Sequence, residues 1–123
     1  MITIVREPID VLTVLKSVED RGAGGIDIFI GTTRDNANGR NVLFLEYEAY
    51  VPMALKKMEE IANEARQRWC ITKVAIVHRI GRVEIGEASV LIAVSSAHRN
   101  EAFEACRFAI DTLKETVPIW KKE

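Results

Sequence analysis

Two lysines, Lys114 and Lys121, have the residue type and spacing that acid–base or covalent chemistry requires. Pro118 lies between them and ends the helical pattern that carries Lys114, so the basic segment after it can fold back over the helix end. Ammonium groups held close together repel each other, which lowers the pKa of such groups and allows proton transfer or nucleophilic attack near neutral pH. The alternative interpretation is a solvated basic terminus that complements the helix dipole. Trp120, beside Lys121, needs a surface to pack on, which favours an ordered segment.

Side chains that can bind an anion occur at two further places. Arg34 follows a predicted strand in the segment Gly31-Thr-Thr-Arg34, where backbone N–H groups and a guanidinium can meet an anion. His98 and Arg99 open the last predicted helix, whose first N–H groups favour negative charge. We therefore predict an anion-binding pocket built from Arg34, His98 and Arg99. The alternatives are a surface hairpin loop at the first place and simple helix capping at the second.

Other residues of catalytic type favour structural interpretations. The cysteines and histidines form a symmetric Cys-x7-His…His-x7-Cys spacing, but structural zinc sites use much tighter pairs, so we predict no metal site. Glu46 and Glu48 lie on one face of a predicted strand and are expected to pair with Arg or Lys on neighbouring strands. His78 and Arg79 end a buried strand, where we expect a structural role.

The composition is that of one small globular domain. The 123 residues are 48% hydrophobic and 28% charged, and their net charge of −1 gives no basic footprint for nucleic acid. No apolar run approaches the roughly 20 residues that cross a bilayer, and the first residues do not resemble a signal peptide. Two cysteines cannot form a disulfide framework. We predict a single domain over residues 1–123, located in the cytoplasm, that binds neither nucleic acid nor membrane.

Hydrophobic periodicity predicts the element order β-α-β-β-α-β-β-α. Strands are predicted at 2–6, 25–33, 42–50, 71–80 and 88–96, and helices at about 8–20, from 52 to about 69, and at about 99–116. Asn38-Gly39 predicts a hairpin turn, and residues 81–87 predict an irregular connection with a short strand-like piece. The helix patterns place Leu12 and Phe103 among the inward-facing residues. This order is typical of an α+β domain with three helices and a largely antiparallel sheet.

Five groups of residues, taken in order, resemble the catalytic (large) subunit of molybdopterin synthase. They are Gly31-Thr-Thr-Arg34, Leu45-Glu-Tyr-Glu-Ala-Tyr50, His78-Arg-Ile-Gly81 with Gly86-Glu87, Ser96-Ala-His-Arg99, and Asp111-x-Leu-Lys114 with Pro118-Ile-Trp-Lys121-Lys-Glu123. The resemblance covers nearly the whole chain and implies an α/β-hammerhead-like fold. Members of that family usually continue beyond Trp-Lys-x-Glu, whereas this sequence stops at Glu123.

The resemblance implies a sulfur-transfer reaction in molybdenum cofactor biosynthesis. Cyclic pyranopterin monophosphate would receive two sulfurs from the C-terminal Gly-Gly thiocarboxylate of a small ubiquitin-like carrier protein, which forms the dithiolene of molybdopterin. No separate cofactor is implied. Two large subunits would form a homodimer at the centre of a heterotetramer, with a carrier at each end. The alternatives are a docking module for the carrier tail that performs no chemistry, and a phosphate-ligand-binding domain.

The resemblance also implies roles for individual residues. Lys114 and Lys121 correspond to the catalytic lysines of the family. The implied substrate-binding residues are Thr32, Thr33, Arg34, His98, Arg99, Lys114, Lys121, Lys122 and Glu123.

Overall fold

The computed structural model describes residues 1–122, which form three helices and nine strands. In chain order these are β1 Ile2–Val5, α1 Val11–Val18, β2 Gly25–Thr32, β3 Asn36–Ala37, β4 Arg40–Asn41, β5 Phe44–Ala49, α2 Val51–Arg68, β6 Lys73–Arg79, β7 Gly81–Glu84, β8 Ala88–Ser96, α3 Arg99–Thr116 and β9 Ile119–Lys122.

The main sheet has four strands in the order β1-β6-β8-β2. β1 and β6 are parallel, and the other neighbours are antiparallel. Ile76 and Ile92 face a core formed with α2 and α3, whereas Val77 and Leu91 face α1 on the other side. The two central strands are therefore buried on both faces, as their apolar sequences predict.

The chain after α3 belongs to a second, three-stranded antiparallel sheet in the order β7-β5-β9. α3 ends at Thr116, and the amide of Tyr50 donates a hydrogen bond of 3.2 Å to the carbonyl oxygen of Pro118. β9 then runs along β5, so that Lys121 lies opposite Tyr47. The predicted return of the basic segment is thus achieved by strand pairing.

The α+β class with three helices and mainly antiparallel pairing is confirmed. The structure differs from the predicted element order by additional short strands. β3, β4 and β9 were not part of the predicted element order, while β7 accounts for the strand-like piece at 81–87. β3 and β4 form a hairpin whose turn residues, Asn38 and Gly39, have φ values of 52° and 79°. Positive φ at both central positions is the geometry of a type I′ turn, which confirms the Asn-Gly signal.

The prediction for α1 was wrong at its start and in the inward orientation of Leu12, whereas Val18 is buried as predicted. The carboxylate of Asp10 accepts hydrogen bonds from the Thr13 amide at 3.2 Å and the Thr13 hydroxyl at 2.8 Å. This capping fixes the first helical residue at Val11. Val14 and Val18 consequently face the sheet, and Leu12 is 59% exposed.

The inward orientation predicted for Phe103 was also wrong. α3 approaches the sheet through small residues, since Ala102, Ala105 and Ala109 are fully buried. This close contact turns the neighbouring Phe103 away from the core and leaves it 51% exposed. Phe103 instead lines a groove of about 600 Å³ between α3 and β2.

Candidate active site

A cavity of about 430 Å³ opens where the end of β2, the β3–β4 hairpin, β5, α3 and β9 meet. Three cationic side chains line it, namely Arg34 and, much later in the sequence, Lys114 and Lys121. The remaining walls are formed by Phe29, Ile30, Gly31, Thr32, Asn36, Ala37, Val42, Leu45, Tyr47 and Ser89. The cavity therefore combines a cationic lining with apolar and aromatic surface, which suits an anionic ligand that also has an apolar part.

The two lysines reach the cavity from different elements. Lys114 lies in the last turn of α3, and Lys121 lies on β9 after the turn at Pro118. The register between β5 and β9 places Lys121 opposite Tyr47, which also lines the cavity. The predicted convergence of the two lysines is present in the fold.

A buried histidine lies behind this lining. His78 packs edge-on against the Tyr47 ring, with 5.3 Å between ring centroids. Its Nδ1 lies 2.8 Å from the carbonyl oxygen of Arg79, which can only accept, so Nδ1 carries the proton. Burial, assisted by the charge of Lys114, lowers the pKa of His78 to about 4. A neutral imidazole therefore supports the site at physiological pH, in agreement with the structural role predicted for His78.

Of the two predicted threonines, only Thr32 lines the cavity. Thr33 is 3% exposed, so its hydroxyl lies inside the protein. The Thr33 amide donates to the carbonyl oxygen of Glu87 at 3.1 Å, and the Gly86 amide donates to the carbonyl oxygen of Thr33 at 2.9 Å. Thr33 thus anchors the backbone immediately before Arg34.

Lys122 lies on the opposite face of β9 from Lys121, because successive strand residues alternate. Its Nζ is 3.4 Å from Oε1 of Glu48, and its Cα partner across the ladder is Glu46. Glu46 is also opposite Arg82, so both glutamates have the cross-strand basic partners that the sequence predicts. Lys122 is therefore not brought together with the cavity lysines, and Glu123 lies outside the described residues.

His98 and Arg99 lie at the other end of the molecule from Arg34 within one chain. β2 runs antiparallel to β8, so Gly25 is opposite Ser96 while Thr32 is opposite Ala88. At about 3.3 Å per residue, the eight-residue strand separates its two ends by roughly 25 Å. Both side chains are exposed at the N-terminus of α3, and no capping hydrogen bond from the side chain of His98 is found within residues 1–122. One chain alone does not assemble the anion pocket predicted from these three residues.

Sequence reasoning did not identify Tyr47 and Ser89 as cavity residues. Tyr47 shares a face of the alternating strand β5 with Leu45, and the alternation alone does not indicate that this face lines a cavity. Ser89 faces the end of β2, where its hydroxyl donates to the carbonyl oxygen of Gly31 at 3.3 Å. Its position depends on the register between β2 and β8, for which the sequence carries no local signal.

Within residues 1–122, no group of three or more His, Cys, Asp or Glu side chains is arranged to hold a metal ion. None of the helices in that range is long and apolar enough to cross a membrane.

Comparison with known proteins identifies the family. The family model described as MoaE protein matches residues 4–116. The chain is 50% identical over 120 residues to the molybdopterin synthase catalytic subunit of Bacillus subtilis (strain 168), covering 98% of this chain and 76% of that protein. It is 50% identical over 123 residues to the protein of the same name from Drosophila melanogaster, covering 99% of this chain but 34% of that protein. The chain thus spans about a third of the length of the longer relatives that it matches.

A solved structure shows the same likeness. The crystal structure of molybdopterin synthase from Staphylococcus aureus superposes with a TM-score of 0.94 at 45% identity, covering 98% of this chain and 88% of the other. The sequence motifs, the fold and the family match all converge, and the chain belongs to the MoaE protein family.

Proposed function

We propose that this chain is a catalytic subunit of molybdopterin synthase. It would transfer sulfur from the C-terminal thiocarboxylate of a small ubiquitin-like carrier protein to cyclic pyranopterin monophosphate, and the product would be molybdopterin. The observation that carries the proposal is the cavity in which Arg34 from the β2–β3 loop, Lys114 from α3 and Lys121 from β9 converge. Family membership and the names of the relatives support the same activity.

The cavity lining suits the substrate on physical grounds. The guanidinium of Arg34 can hold the cyclic phosphate through paired, charge-assisted hydrogen bonds. The ring of Tyr47 supplies an aromatic wall for the pterin. Lys114 and Lys121 would stabilise the negative charge that develops as sulfur attacks, and would transfer protons as the cyclic phosphate opens. No separate cofactor is needed for these steps.

The same cations favour entry of the carrier tail. A thiocarboxylate is an anion at the end of an extended peptide, and a cavity lined by Arg34, Lys114 and Lys121 attracts it electrostatically. The tail would deliver its sulfur between the two lysines and the pterin. The carrier is therefore proposed as the partner at each end of a heterotetramer.

A homodimer is proposed at the centre of that assembly because β2 has an unprotected edge. β2 is the edge strand of the main sheet, and Ile26, Ile28 and Ile30 are partly exposed on one of its faces. On the other face, Phe29 and Phe103 line the groove of about 600 Å³. Long apolar edge strands are normally covered, and a twofold-related copy is the commonest cover.

This dimer would complete the anion site. When two copies of β2 pair antiparallel about a twofold axis at the strand centre, the first residue of one lies opposite the last residue of the other. Gly25 is adjacent to Arg99, since a Cβ added at Gly25 would lie 3.5 Å from the Arg99 Cα. Thr32 lines the cavity at the other end. The second copy would therefore bring its His98 and Arg99 toward the cavity of the first.

The proposed activity is tested by dithiolene formation from cyclic pyranopterin monophosphate and thiocarboxylated carrier. We expect product with the wild type, and a loss of at least about 100-fold with Lys114→Ala, because an interaction made in the transition state is removed. Lys56→Ala, an exposed lysine on α2, is the matched control and should retain wild-type turnover.

The possible outcomes separate the alternatives. Equal product from Lys114→Ala and the wild type would remove Lys114 from the chemistry. No product from any variant, with carrier binding retained, would favour a docking module without chemistry. Binding of the pterin without any carrier complex would favour a phosphate-ligand-binding domain.

A further inference from the structure

An ion pair between a buried arginine and a partly exposed glutamate lies outside the cavity and has no part in the steps described above. Arg79, at the end of β6, is 7% exposed, and its Nη1 is 3.2 Å from Oε1 of Glu87. Its Nη2 donates to the carbonyl oxygen of Arg82 at 2.8 Å. The guanidinium of Arg79 and the carboxylate of Glu87 interact through their charges and not through a hydrogen bond, since Nη1 has no hydrogen-bond partner among the described residues. The guanidinium therefore depends on the carboxylate of Glu87 for electrostatic compensation.

The carboxylate of Glu87 also fixes its own turn. Its Oε1 accepts a hydrogen bond of 2.9 Å from the amide of Glu84, across the turn between β7 and β8. That hydrogen bond is the main reason that the pKa of Glu87 is lowered, and the charge of Arg79 adds to it. Glu87 is consequently ionised at neutral pH, where it holds the turn against the end of β6.

This turn holds the backbone that precedes Arg34. Both backbone polar groups of Thr33 bond to the turn, the amide to the Glu87 carbonyl oxygen at 3.1 Å and the carbonyl oxygen to the Gly86 amide at 2.9 Å. The regular ladder between β2 and β8 shifts register between Gly31 and Thr32, just before this point. The path of the chain into Arg34 is therefore set by the turn.

We infer that Arg79 and Glu87 are positioning residues that orient Arg34 toward the phosphate of the substrate. Their ion pair fixes the β7–β8 turn, the turn fixes Thr33, and Thr33 fixes the direction from which the Arg34 side chain enters the cavity. The inference rests on the proposed function, since it assigns the pair a role in binding that substrate. Bidentate binding of a phosphate by arginine depends on orientation, so a small displacement of the backbone weakens it.

The kinetic test compares Glu87→Gln with Glu84→Gln. Glutamine at position 87 keeps an oxygen acceptor for the Glu84 amide but removes the charge that compensates Arg79. Glu84 is the matched control because it is in the same turn, and its carboxylate pairs only at the surface with Arg82, at 2.7 Å. We expect Glu87→Gln to raise KM for cyclic pyranopterin monophosphate about tenfold with kcat within twofold. Glu84→Gln should change neither constant by more than twofold.

A double-mutant cycle shows whether the effect passes through Arg34. In an Arg34→Ala background, Glu87→Gln should raise KM by less than twofold, because the side chain that it positions is already absent. A full tenfold additional effect in that background would overturn the inference. Arg79→Lys, which keeps the charge but loses the forked geometry, should raise KM in the same direction. It is the second variant if Glu87→Gln does not fold.

Amide hydrogen exchange gives a readout independent of catalysis. Exchange at the Thr33 amide should accelerate at least about tenfold in Glu87→Gln relative to the wild type and to Glu84→Gln. Unchanged exchange together with unchanged KM would overturn the inference while leaving the proposed function intact. If exchange is faster in Glu87→Gln but the wild type forms no dithiolene, the ion pair still fixes the backbone before Arg34. Its role in binding this substrate would then be rejected.

Discussion

At the scale of single residues, the site combines exposed cations with a neutral, buried support. Lys114 and Lys121 are exposed to the cavity, whereas His78 behind them is buried and uncharged. A positive charge at His78 would repel the two lysines and the guanidinium of Arg34. Burial keeps the imidazole of His78 uncharged at neutral pH, and the lowered pKa of His78 has a measurable consequence for the stability of the fold.

The stability of the fold should depend on pH through His78. The unfolded chain binds a proton at this residue below its ordinary pKa of 6.5, but the folded protein does so only below about 4. Between these values the unfolded state binds more protons, so the free energy of unfolding falls as the pH is lowered from about 6.5 to about 4. The contribution is at most about 3 kcal/mol.

Urea unfolding at pH 4.5 and pH 7 measures this dependence. His78→Gln should reduce the difference between the two pH values. His98→Gln should leave that difference unchanged, because His98 is exposed. The same pH dependence in the wild type and in His78→Gln would show that other groups cause it.

At the scale of the elements, the sequence predicts what is locally encoded and misses what depends on register. The bounds of β8 and α3 and the turn at Asn38 follow from local periodicity and turn chemistry, and the structure confirms them. The burial of Thr33 and the outward direction of Lys122 depend on which residues of distant strands lie opposite each other. A shift of one residue would reverse these orientations, and no local pattern specifies the choice.

The candidate site was predictable to a similar extent. The approach of Lys114 to Lys121 follows from one helix, one proline and a short return of the chain, so the sequence contains it. The separation of Arg34 from His98 and Arg99 follows from the antiparallel pairing of β2 with β8, which is a long-range property. The residues were therefore identified from motifs, but their grouping within one chain was not.

The role of β9 is tested by Trp120→Ala. Trp120 is 49% exposed, so we expect the substitution to lower the free energy of unfolding by less than about 1 kcal/mol. It removes the indole at the position paired with Glu48 across the β5–β9 ladder, so we expect β9 to be held less firmly and dithiolene formation to fall about tenfold. Tyr50→Ala removes another exposed aromatic outside β9 and is the control for unfolding and turnover. A larger loss of stability than of turnover in Trp120→Ala would assign the indole to general packing.

At the scale of the whole molecule, the proposed dimer makes each site dependent on two chains. Lys114 would act in the cavity of its own chain, while Arg99 would act in the cavity of the other. This arrangement would account for the cations that lie at both ends of β2, far apart within one chain. It also predicts complementation between variants that are inactive alone.

Mixing Arg99→Ala with Lys114→Ala, after dissociation and reassociation, should restore activity. With random pairing, half of the dimers are mixed, and each mixed dimer contains one intact site, so about a quarter of the wild-type activity is expected. Dithiolene formation measures the recovery, and a mixture of Arg34→Ala with Lys114→Ala, which lie in the same cavity, is the control that should stay inactive. Absence of recovery despite mixed dimers would show that each site is confined to one chain.

The placement of Lys121 on β9 has a consequence for how the protein responds to heat. β9 is a four-residue edge strand attached along one side to β5, whereas β6 and β8 are buried on both faces of the main sheet. Edge elements open locally at a lower free energy than the global transition, and the chain opens as a set of units with graded stability. A proposed catalytic lysine therefore lies on a short edge strand, which we expect to open before the main sheet does. On warming, inactivation should precede the melting of the core, and a bound carrier tail should raise the inactivation temperature more than the melting temperature.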